Sequence, residues 1–385
     1  MRPLIVLAIT GSIAAVRSFD LCRELCRRGF DVQVVMSGAG TEMITPQAME
    51  FASGREVITR IGGKIEHVKF FGKNGKASLL LIAPATANTI SKIAMGIDDT
   101  AVTTFATVAI GSKRPVLLAP AMHRPMYEHP IVIENLEKLR SKGVRVISPL
   151  EEEGKAKIAC IEEIIFEAER ALSHKSFAGK KVLIASGAFG EKIDDIRHIT
   201  NTSTGKLGAE LARRLGVEGA QVKFIGNGPV ESGIDAIEEH YADGLERKVM
   251  AELESGYGFF FCPAAIPDFS VKKSIGKASS SKKISIDLIP REKLIGKVRK
   301  KFPRLRIVAF KAVWKKRRNE MEKICREFVK NSGLLAVAAI DLSKFTPDAA
   351  EREMLFYSAG KKKILKGTKE KIAREIIELC SRQKN

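Results

Sequence analysis

Three turns in this sequence place small residues and hydroxyls directly after apolar runs. Leu4-Ile5-Val6-Leu7-Ala8-Ile9 leads into Thr10-Gly11-Ser12-Ile13-Ala14-Ala15. The run at 79–83 leads into Pro84-Ala85-Thr86-Ala87-Asn88-Thr89, and the run at 116–119 into Pro120-Ala121-Met122-His123-Arg124-Pro125-Met126. Where such a turn opens a helix, its free backbone N–H groups suit a phosphate. The two proline-led turns together describe a flat slot rimmed by hydroxyl and amide groups. Much later, Ser203-Thr204-Gly205-Lys206 again opens a helical pattern with hydroxyls, a glycine and a lysine, which suits an anion although the first glycine of a Walker loop is missing. Arg197 and Asn201 lie four residues apart just upstream, close enough to share a ligand. His67 and Cys160 stand alone, and read singly they are a surface histidine and a buried structural thiol.

These residues sit in a chain of 385 residues, long enough for two or three domains. Hydrophobic residues at 45% and charged residues at 29% are the proportions of a folded globular protein. The 65 Lys and Arg against 45 Asp and Glu give a net charge of +20. Much of the excess lies beyond residue 270, as Lys272-Lys273, Lys282-Lys283 and Lys361-Lys362-Lys363. With four Tyr and one Trp there is little to stack on bases, so phosphorylated small substrates are favoured over nucleic acid. The six cysteines are scattered without a CxxC or a histidine at ligand spacing, so neither a disulfide framework nor zinc is indicated, and no residue is assigned as a metal ligand. No apolar run reaches the roughly 18–20 residues of a membrane span, and the run at 4–9 is too short for a secretory signal. The expectation is a cytoplasmic protein with no membrane partner.

Positioning the turns requires strands that feed helices. Strands are expected at 4–9, 32–36, 79–83, 116–119 and 144–147, with helices at 88–95, 131–142 and 161–172. The strand-turn-helix theme restarts at 181–184 and 207–215. It continues with strands at 221–225, 258–262, 307–310 and 334–338 and helices at 318–330 and 369–382. Apolar strands alternating with amphipathic helices predict two doubly wound, Rossmann-like parallel sheets. The polar stretch Ser173-His174-Lys175-Ser176-Phe177-Ala178-Gly179-Lys180 marks the linker, dividing the chain into 1–175 and 176–385. Ligands in such sheets sit beyond the carboxyl ends of the strands.

The runs Ile82-Ala83-Pro84-Ala85-Thr86-Ala87-Asn88-Thr89-Ile90, Gly96-Ile97-Asp98-Asp99 with Thr103-Thr104, and Pro120-Ala121-Met122 resemble those of the FMN-dependent cysteine decarboxylases. They are closest in kind to the phosphopantothenoylcysteine decarboxylase half of the bifunctional coenzyme A biosynthesis family, over about residues 3–172. The resemblance implies a flavodoxin-like domain with FMN held by Gly11, Ser12, Ile13, Ser37, Ala85, Thr86, Asn88, Thr103 and Thr104, usually at a trimer interface. It implies that flavin oxidation of the cysteine thiol supplies the electron sink for loss of CO2. By the same match, His67 assists oxidation or decarboxylation, and Cys160 reprotonates the enethiolate. Met122 and His123 would contact the substrate. Family members usually carry Asn at the latter position, where a histidine can still donate one hydrogen bond to a carboxylate. The glycine-rich flap of the family is shortened here to Glu153-Gly154-Lys155-Ala156-Lys157.

The second half, about 178–380, is similar to the phosphopantothenate–cysteine ligases. The likeness runs through the stretch from Arg197 to Lys206, then Cys262-Pro263-Ala264-Ala265-Ile266-Pro267-Asp268-Phe269, Gly276-Lys277-Ala278-Ser279 and Phe310-Lys311-Ala312. It implies activation of a carboxylate by CTP with Mg²⁺, then attack by the cysteine amine. Asn201, Arg197 and Ala265 would handle 4'-phosphopantothenate and its acyl-cytidylate. Ser203, Gly205, Lys206, Asp268, Lys277, Phe310, Arg326 and Lys330 would handle the nucleotide, with Lys277 also catalytic and Lys272 or Lys273 as its alternatives. The loop at 345–354 lacks the expected Asn. The implied partners are phosphopantothenate, cysteine, CTP and further copies of the chain, as trimeric flavin domains and dimeric ligase domains, a dodecamer being one arrangement. Two other readings are a non-catalytic FMN-binding regulatory protein of this fold and a flavin prenyltransferase. Retention of both His67 and Cys160 argues against the first, and an idle second half against the other.

Overall fold

The computed structural model describes residues 2–152, 155–231, 233–273, 276, 285–346 and 348–383. The chain divides into two compact units, Met1–Ser173 and His174–Asn385.

The first unit has strands β1 (Leu4–Ile9), β2 (Asp31–Met36), β3 (Leu79–Ala85), β4 (Val116–Pro120), β5 (Met122–His123), β6 (Arg145–Val146), β7 (Leu150–Glu152) and β8 (Lys155–Lys157). Its helices are α1 (Ser18–Arg27), reached through a 3-10 turn at Ile13–Arg17, α2 (Gly38–Met43), α3 (Pro46–Ser53) and α4 (Glu66–Phe71). They continue with α5 (Ala87–Met95), α6 (Ala101–Gly111), α7 (Arg124–Tyr127), α8 (Pro130–Ser141) and α9 (Ile161–Leu172). Among the described residues, five parallel strands pair in the order β2-β1-β3-β4-β6, and β5, β8 and β7 form a separate antiparallel patch. Every residue of β1 and β3 is buried. That explains their unbroken apolar runs, since a parallel sheet covered on both faces has no solvated side. Ile5, Leu7 and Ile9 pack with Leu21, Leu25 and Ile164 on one face. Val6 and Ala8 alternate to the other, against Ile90, Phe105 and Leu136. Each such aliphatic side chain contributes about 1.5–3 kcal/mol by leaving water. Helix α6 buries one face through Ala101, Val102, Phe105, Ala106 and Ala109, but its other side carries Thr104, Thr107, Val108, Ile110 and Gly111 with no charged residue, so its sequence shows little polar contrast.

The second unit has β9 (Lys181–Ser186), β10 (Gly190–Lys192), β11 (His198–Thr200), α10 (Lys206–Val217), β12 (Gln221–Gly226), β13 (Asp235–Glu238), α11 (Ala242–Leu253) and β14 (Phe259–Cys262). After β15 (Phe269–Val271) and β16 (Leu288–Pro290) come α12 (Leu294–Lys301), β17 (Arg306–Val313), α13 (Arg318–Ser332), β18 (Ala336–Asp341), β19 (Glu351–Ser358), β20 (Lys361–Thr368) and α14 (Lys369–Ser381). The large sheet runs β13-β12-β9-β14-β17-β18-β19-β20. Through β18 it is parallel, as the sequence predicts. Beyond β18 it departs: β19 and β20 add an antiparallel hairpin where a loop over 345–354 is expected. The cause is legible afterwards. Met354, Leu355, Phe356 and Tyr357 are buried, while Lys361, Lys362 and Lys363 are exposed on the outermost strand, where lysines discourage pairing with another edge.

Strand order reverses between β1 and β3 in the first unit and between β9 and β14 in the second. These are the switch points at which crevices open at strand ends.

Candidate functional site

In the first unit the switch point is tied by Thr10, which is 1% exposed. Its hydroxyl donates to the carbonyl of Pro84 at 2.7 Å and accepts from the backbone N–H of Thr86 at 3.1 Å. Ser18 donates to the carbonyl of Ala83 at 3.1 Å, so the turns after β1 and β3 are held face to face. Gly11 permits a second close approach, of the turn after β1 to α2: a Cβ there would lie 2.5 Å from that of Ala39. Ser12 caps the following turn by accepting from Ala14 N–H at 3.4 Å.

The crevice between these turns has a volume of about 560 Å³ and brings together Gly11, Ser12, Ile13, Thr86, Met122 and His123. Ile13 is 76% exposed, and Val16 and Met126 also stand in solvent beside it. A polar turn next to an apolar wall suits a flat aromatic ring that ends in a phosphate. The β5–β8 pairing, Met122 with Ala156 and His123 with Lys155, brings Ala156 and Ile158 to the same crevice.

Other sequence-predicted residues do not line it within one chain. Ser37 accepts from Gly40 N–H at 3.1 Å as the cap of α2. Ala85 is buried at the end of β3, and Asn88 is exposed on α5. The Thr103 hydroxyl is occupied at the start of α6, donating to the Thr100 carbonyl at 3.0 Å and accepting from Thr100 N–H at 2.9 Å. Thr104 donates to Asp98 and to the Thr100 carbonyl. Half-buried Cys160 caps α9, two residues beyond Ile158 of the crevice. His67 lies on α4, half-buried, with a buried Nδ1 that has no hydrogen-bond partner. Such an orphan costs about 1–3 kcal/mol in a folded protein and marks a place that a ligand or partner can complete.

In the second unit, β9 ends at Ser186, whose hydroxyl donates to the Gly205 carbonyl at 3.3 Å. Gly205 adopts φ +67° as it opens α10, and a Cβ on Gly208 would lie 2.0 Å from the Ser186 Oγ. The helix start is thereby pressed onto the strand end. Around it, Ser203, Gly205, Lys206, Ala265 and Phe310 line a cleft of about 150 Å³. Phe310 and Asp268 also line a neighbouring cleft of about 160 Å³, and Asn201 and Asp268 a third of about 200 Å³. Asn201 donates to the Ile266 carbonyl at 3.1 Å. Asp268 is paired with Lys293.

Arg197 is turned to buried Asp194 at 3.3 Å and lines none of these clefts. Nor do Arg326, paired with Glu322 at 3.0 Å on the exposed face of α13, and Lys330 on the same helix. Lys277 lies outside the described residues. Of its alternatives, Lys273 pairs with Asp195 at 2.5 Å, and Lys272 is exposed.

Two residues that sequence reading passes over organise this unit. Asn227 accepts from Ala188 N–H at 3.0 Å and donates to the carbonyls of Ala188 and Glu239, locking the turns after β9 and β12; Gly226-Asn227-Gly228 at a strand end was the available signal. Arg291 joins Glu191 and Asp243, a pairing between separated segments that no local pattern announces.

Residues 2–172 match the family model described as Flavoprotein, and residues 177–383 match the DNA/pantothenate metabolism flavoprotein C-terminal domain. The Coenzyme A biosynthesis bifunctional protein CoaBC of Thermococcus kodakarensis is 45% identical over 352 residues, covering 90% of this chain and 87% of that protein. The chain belongs to the bifunctional coenzyme A biosynthesis family. A member from Methanocaldococcus jannaschii is 33% identical over 383 residues, covering 97% of this chain and 92% of its own length. Among solved structures, the FMN-dependent cysteine decarboxylase SpaF is 27% identical, covering 44% of this chain and 98% of its own, with a TM-score of 0.38. Within the family, this chain is a two-activity enzyme: a flavoprotein half for phosphopantothenoylcysteine decarboxylation and a C-terminal half for phosphopantothenate–cysteine ligation. Both switch-point crevices described above fall within the matched segments. No helix among the described residues is long and apolar enough to cross a membrane.

Proposed function

We propose that the second unit joins cysteine to 4'-phosphopantothenate at the expense of CTP, and that the first unit decarboxylates the product to 4'-phosphopantetheine with FMN. The observation that carries this is a pair of independent crevices, one at the switch point of each sheet, each built on a glycine-tight turn at a strand end.

FMN fits the first crevice on the residues present. Gly11 and Ser12 would meet its phosphate, and Ile13, Val16 and Met126 would cover its ring. When bound it would supply a reversible two-electron exchange, oxidising the substrate thiol so that the departing carboxylate's electrons have a place to go and returning the hydride once CO2 has left, which makes the overall step redox-neutral. His67 takes the thiol proton at its unpartnered Nδ1. His123 donates a hydrogen bond to the substrate carboxylate, Thr86 and Ser12 fix the phosphate end, and Cys160 returns a proton to the enethiolate carbon. Because His67, Thr103 and Thr104 lie outside the crevice of their own chain, another copy completes the site, in a cytoplasmic homo-oligomer whose flavin domains form trimers.

In the second unit the α10 N-terminus with Ser203, Gly205 and Lys206 receives the nucleotide phosphates. Phe310 and Asp268 flank the nucleoside, Asn201 and Ala265 orient the pantothenate carboxylate, and Arg197 would have to leave Asp194 to join them. That carboxylate attacks the α-phosphorus and releases pyrophosphate, and the cysteine amine then displaces CMP. Mg²⁺ would travel on the triphosphate, and no step is assigned to protein ligands of it.

The test supplies the full chain with phosphopantothenate, cysteine and CTP while pyrophosphate and CO2 are followed separately. Wild type releases both in equal amounts. His67→Gln continues to release pyrophosphate while CO2 stops and the cysteine adduct accumulates. Unchanged CO2 release by that variant would make His67 structural, and no pyrophosphate from wild type would remove the ligase reading.

A further inference from the structure

The cleft at the start of α10 is lined on its far side by residues from the C-terminal hairpin and helix, which nothing above has used. Arg352, near the start of β19, is 8% exposed and lines the cleft beside Thr204, Lys206 and Lys311. Lys369, the first residue of α14, lines it too, with its Nζ 3.4 Å from the Thr204 hydroxyl. Four cationic side chains thus surround about 150 Å³, and none of the described lining residues is an Asp or Glu. Asp348, 75% exposed, pairs with Lys206 at 3.7 Å, and its charge also reaches Arg352 and Lys369.

Like charges lining one cleft repel one another and attract an anion. A lysine at the first position of a 13-residue helix sits on the positive end of its dipole. The Arg352 guanidinium, taken out of water, donates to the Ala349 carbonyl at 3.3 Å while still lining the cleft. The crowding is felt by Lys369 itself, whose ammonium is pushed below the usual lysine range by burial first and then by the charges of Arg352 and Lys206. Helices α10 and α14 pack together, so two helix N-termini open toward the same space.

We propose that Arg352 and Lys369 are positioning residues for the polyphosphate tail of the nucleotide, gripping it opposite the Ser203–Lys206 turn. This rests on the ligase reading of the same cleft. The charge decides between the two phosphate-bearing substrates: a phosphate monoester carries about −1.5 to −2, while a triphosphate has roughly twice that and better matches four cations and two helix ends. Held there, the β- and γ-phosphates are neutralised where the leaving pyrophosphate develops charge, and the α-phosphorus is left facing the carboxylate.

Calorimetry on the full-length protein tests this with pyrophosphate, CTP, cytidine and phosphopantothenate as separate probes. Lys369→Gln weakens pyrophosphate and CTP by about tenfold or more, leaves cytidine and phosphopantothenate within about twofold, and raises the KM for CTP more than it lowers kcat. Lys369→Arg restores most of the loss. Arg352→Gln shifts the same two probes in the same direction in a variant whose melting temperature matches wild type. Pyrophosphate bound by Lys369→Gln as tightly as by wild type overturns the proposal, and so does a loss confined to phosphopantothenate. Wild type that binds pyrophosphate through Lys369 yet forms no amide leaves this anion site standing and removes the ligase reading instead.

Discussion

The residues that set the geometry of the first crevice are not those that would do its chemistry. Thr10 contacts neither reacting group, yet it joins chain positions 74 and 76 residues away through two hydrogen bonds from one buried hydroxyl. Thr10→Val keeps the shape and strands the Thr86 N–H and Pro84 carbonyl. The expected outcome is a loss of about 1–3 kcal/mol in denaturant unfolding of the first unit, with weaker flavin retention. Unchanged stability would mean water replaces the hydroxyl. The thiols make a second residue-scale statement. Burial pushes Cys22, Cys262 and Cys380 up to about 12 and Cys325 up to about 11, from an ordinary value of 9.0. Because the folded values lie above the unfolded one, the protonated thiols' contribution is complete below pH 9.0 and is lost as pH climbs toward 12. Stability therefore falls above about pH 9, by at most about 1.4 kcal/mol per pH unit for each thiol. Cys262→Ala flattens that slope, measured as denaturation midpoints across the alkaline range, and an unaltered slope would contradict the assignment.

At the scale of elements, the central strands were readable because burial on both faces leaves continuous apolar runs such as Leu4-Ile5-Val6-Leu7-Ala8-Ile9 and Leu79-Leu80-Leu81-Ile82-Ala83. Helix α6 was not, since its exposed side carries threonines, aliphatic residues and a glycine without a single charge, and so gives little polar contrast to set its period. The β19–β20 hairpin escaped because Lys361-Lys362-Lys363 has the composition of a solvated loop, and only pairing with the buried Met354–Tyr357 stretch makes it a strand. The turns were the more legible parts: glycine, serine and threonine at strand ends announce a close approach. Gly208 shows how strict that approach is. Gly208→Val must push α10 away from Ser186, and the expected result is a loss of about 1–3 kcal/mol together with a raised KM for the nucleotide, while flavin content stays at the wild-type level. A variant with normal nucleotide kinetics would show that the start of α10 does not shape the cleft.

Over the whole molecule, the restart of the strand-turn-helix theme at residue 181 signalled two units of related design. Their strand orders nonetheless differ, with β2-β1-β3-β4-β6 in one and β13-β12-β9-β14-β17-β18 continuing into a hairpin in the other. Pattern reading gives the elements of each sheet but not the order in which they pair, since order depends on contacts across long stretches of chain. The completeness of the sites was equally hidden. His67 and Cys160 were singled out by resemblance, and the fold adds that the histidine has an unpartnered buried nitrogen away from its own crevice. The role of the C-terminal hairpin in the ligase cleft emerged only from the fold, because Arg352 and Lys369 lie 146 or more residues downstream of Lys206. Part of the +20 charge thereby acquires a use, in holding phosphates.

Everything proposed for the first unit depends on a flavin seated between the Gly11-Ser12 turn and Thr86. The most direct measurement is the visible absorption of the full-length protein after saturation with FMN and removal of the free cofactor. The account predicts a retained flavin band, shifted from that of free FMN and bleached under anaerobic conditions by phosphopantothenoylcysteine in the Cys160→Ser variant. A colourless protein after the same treatment would contradict it.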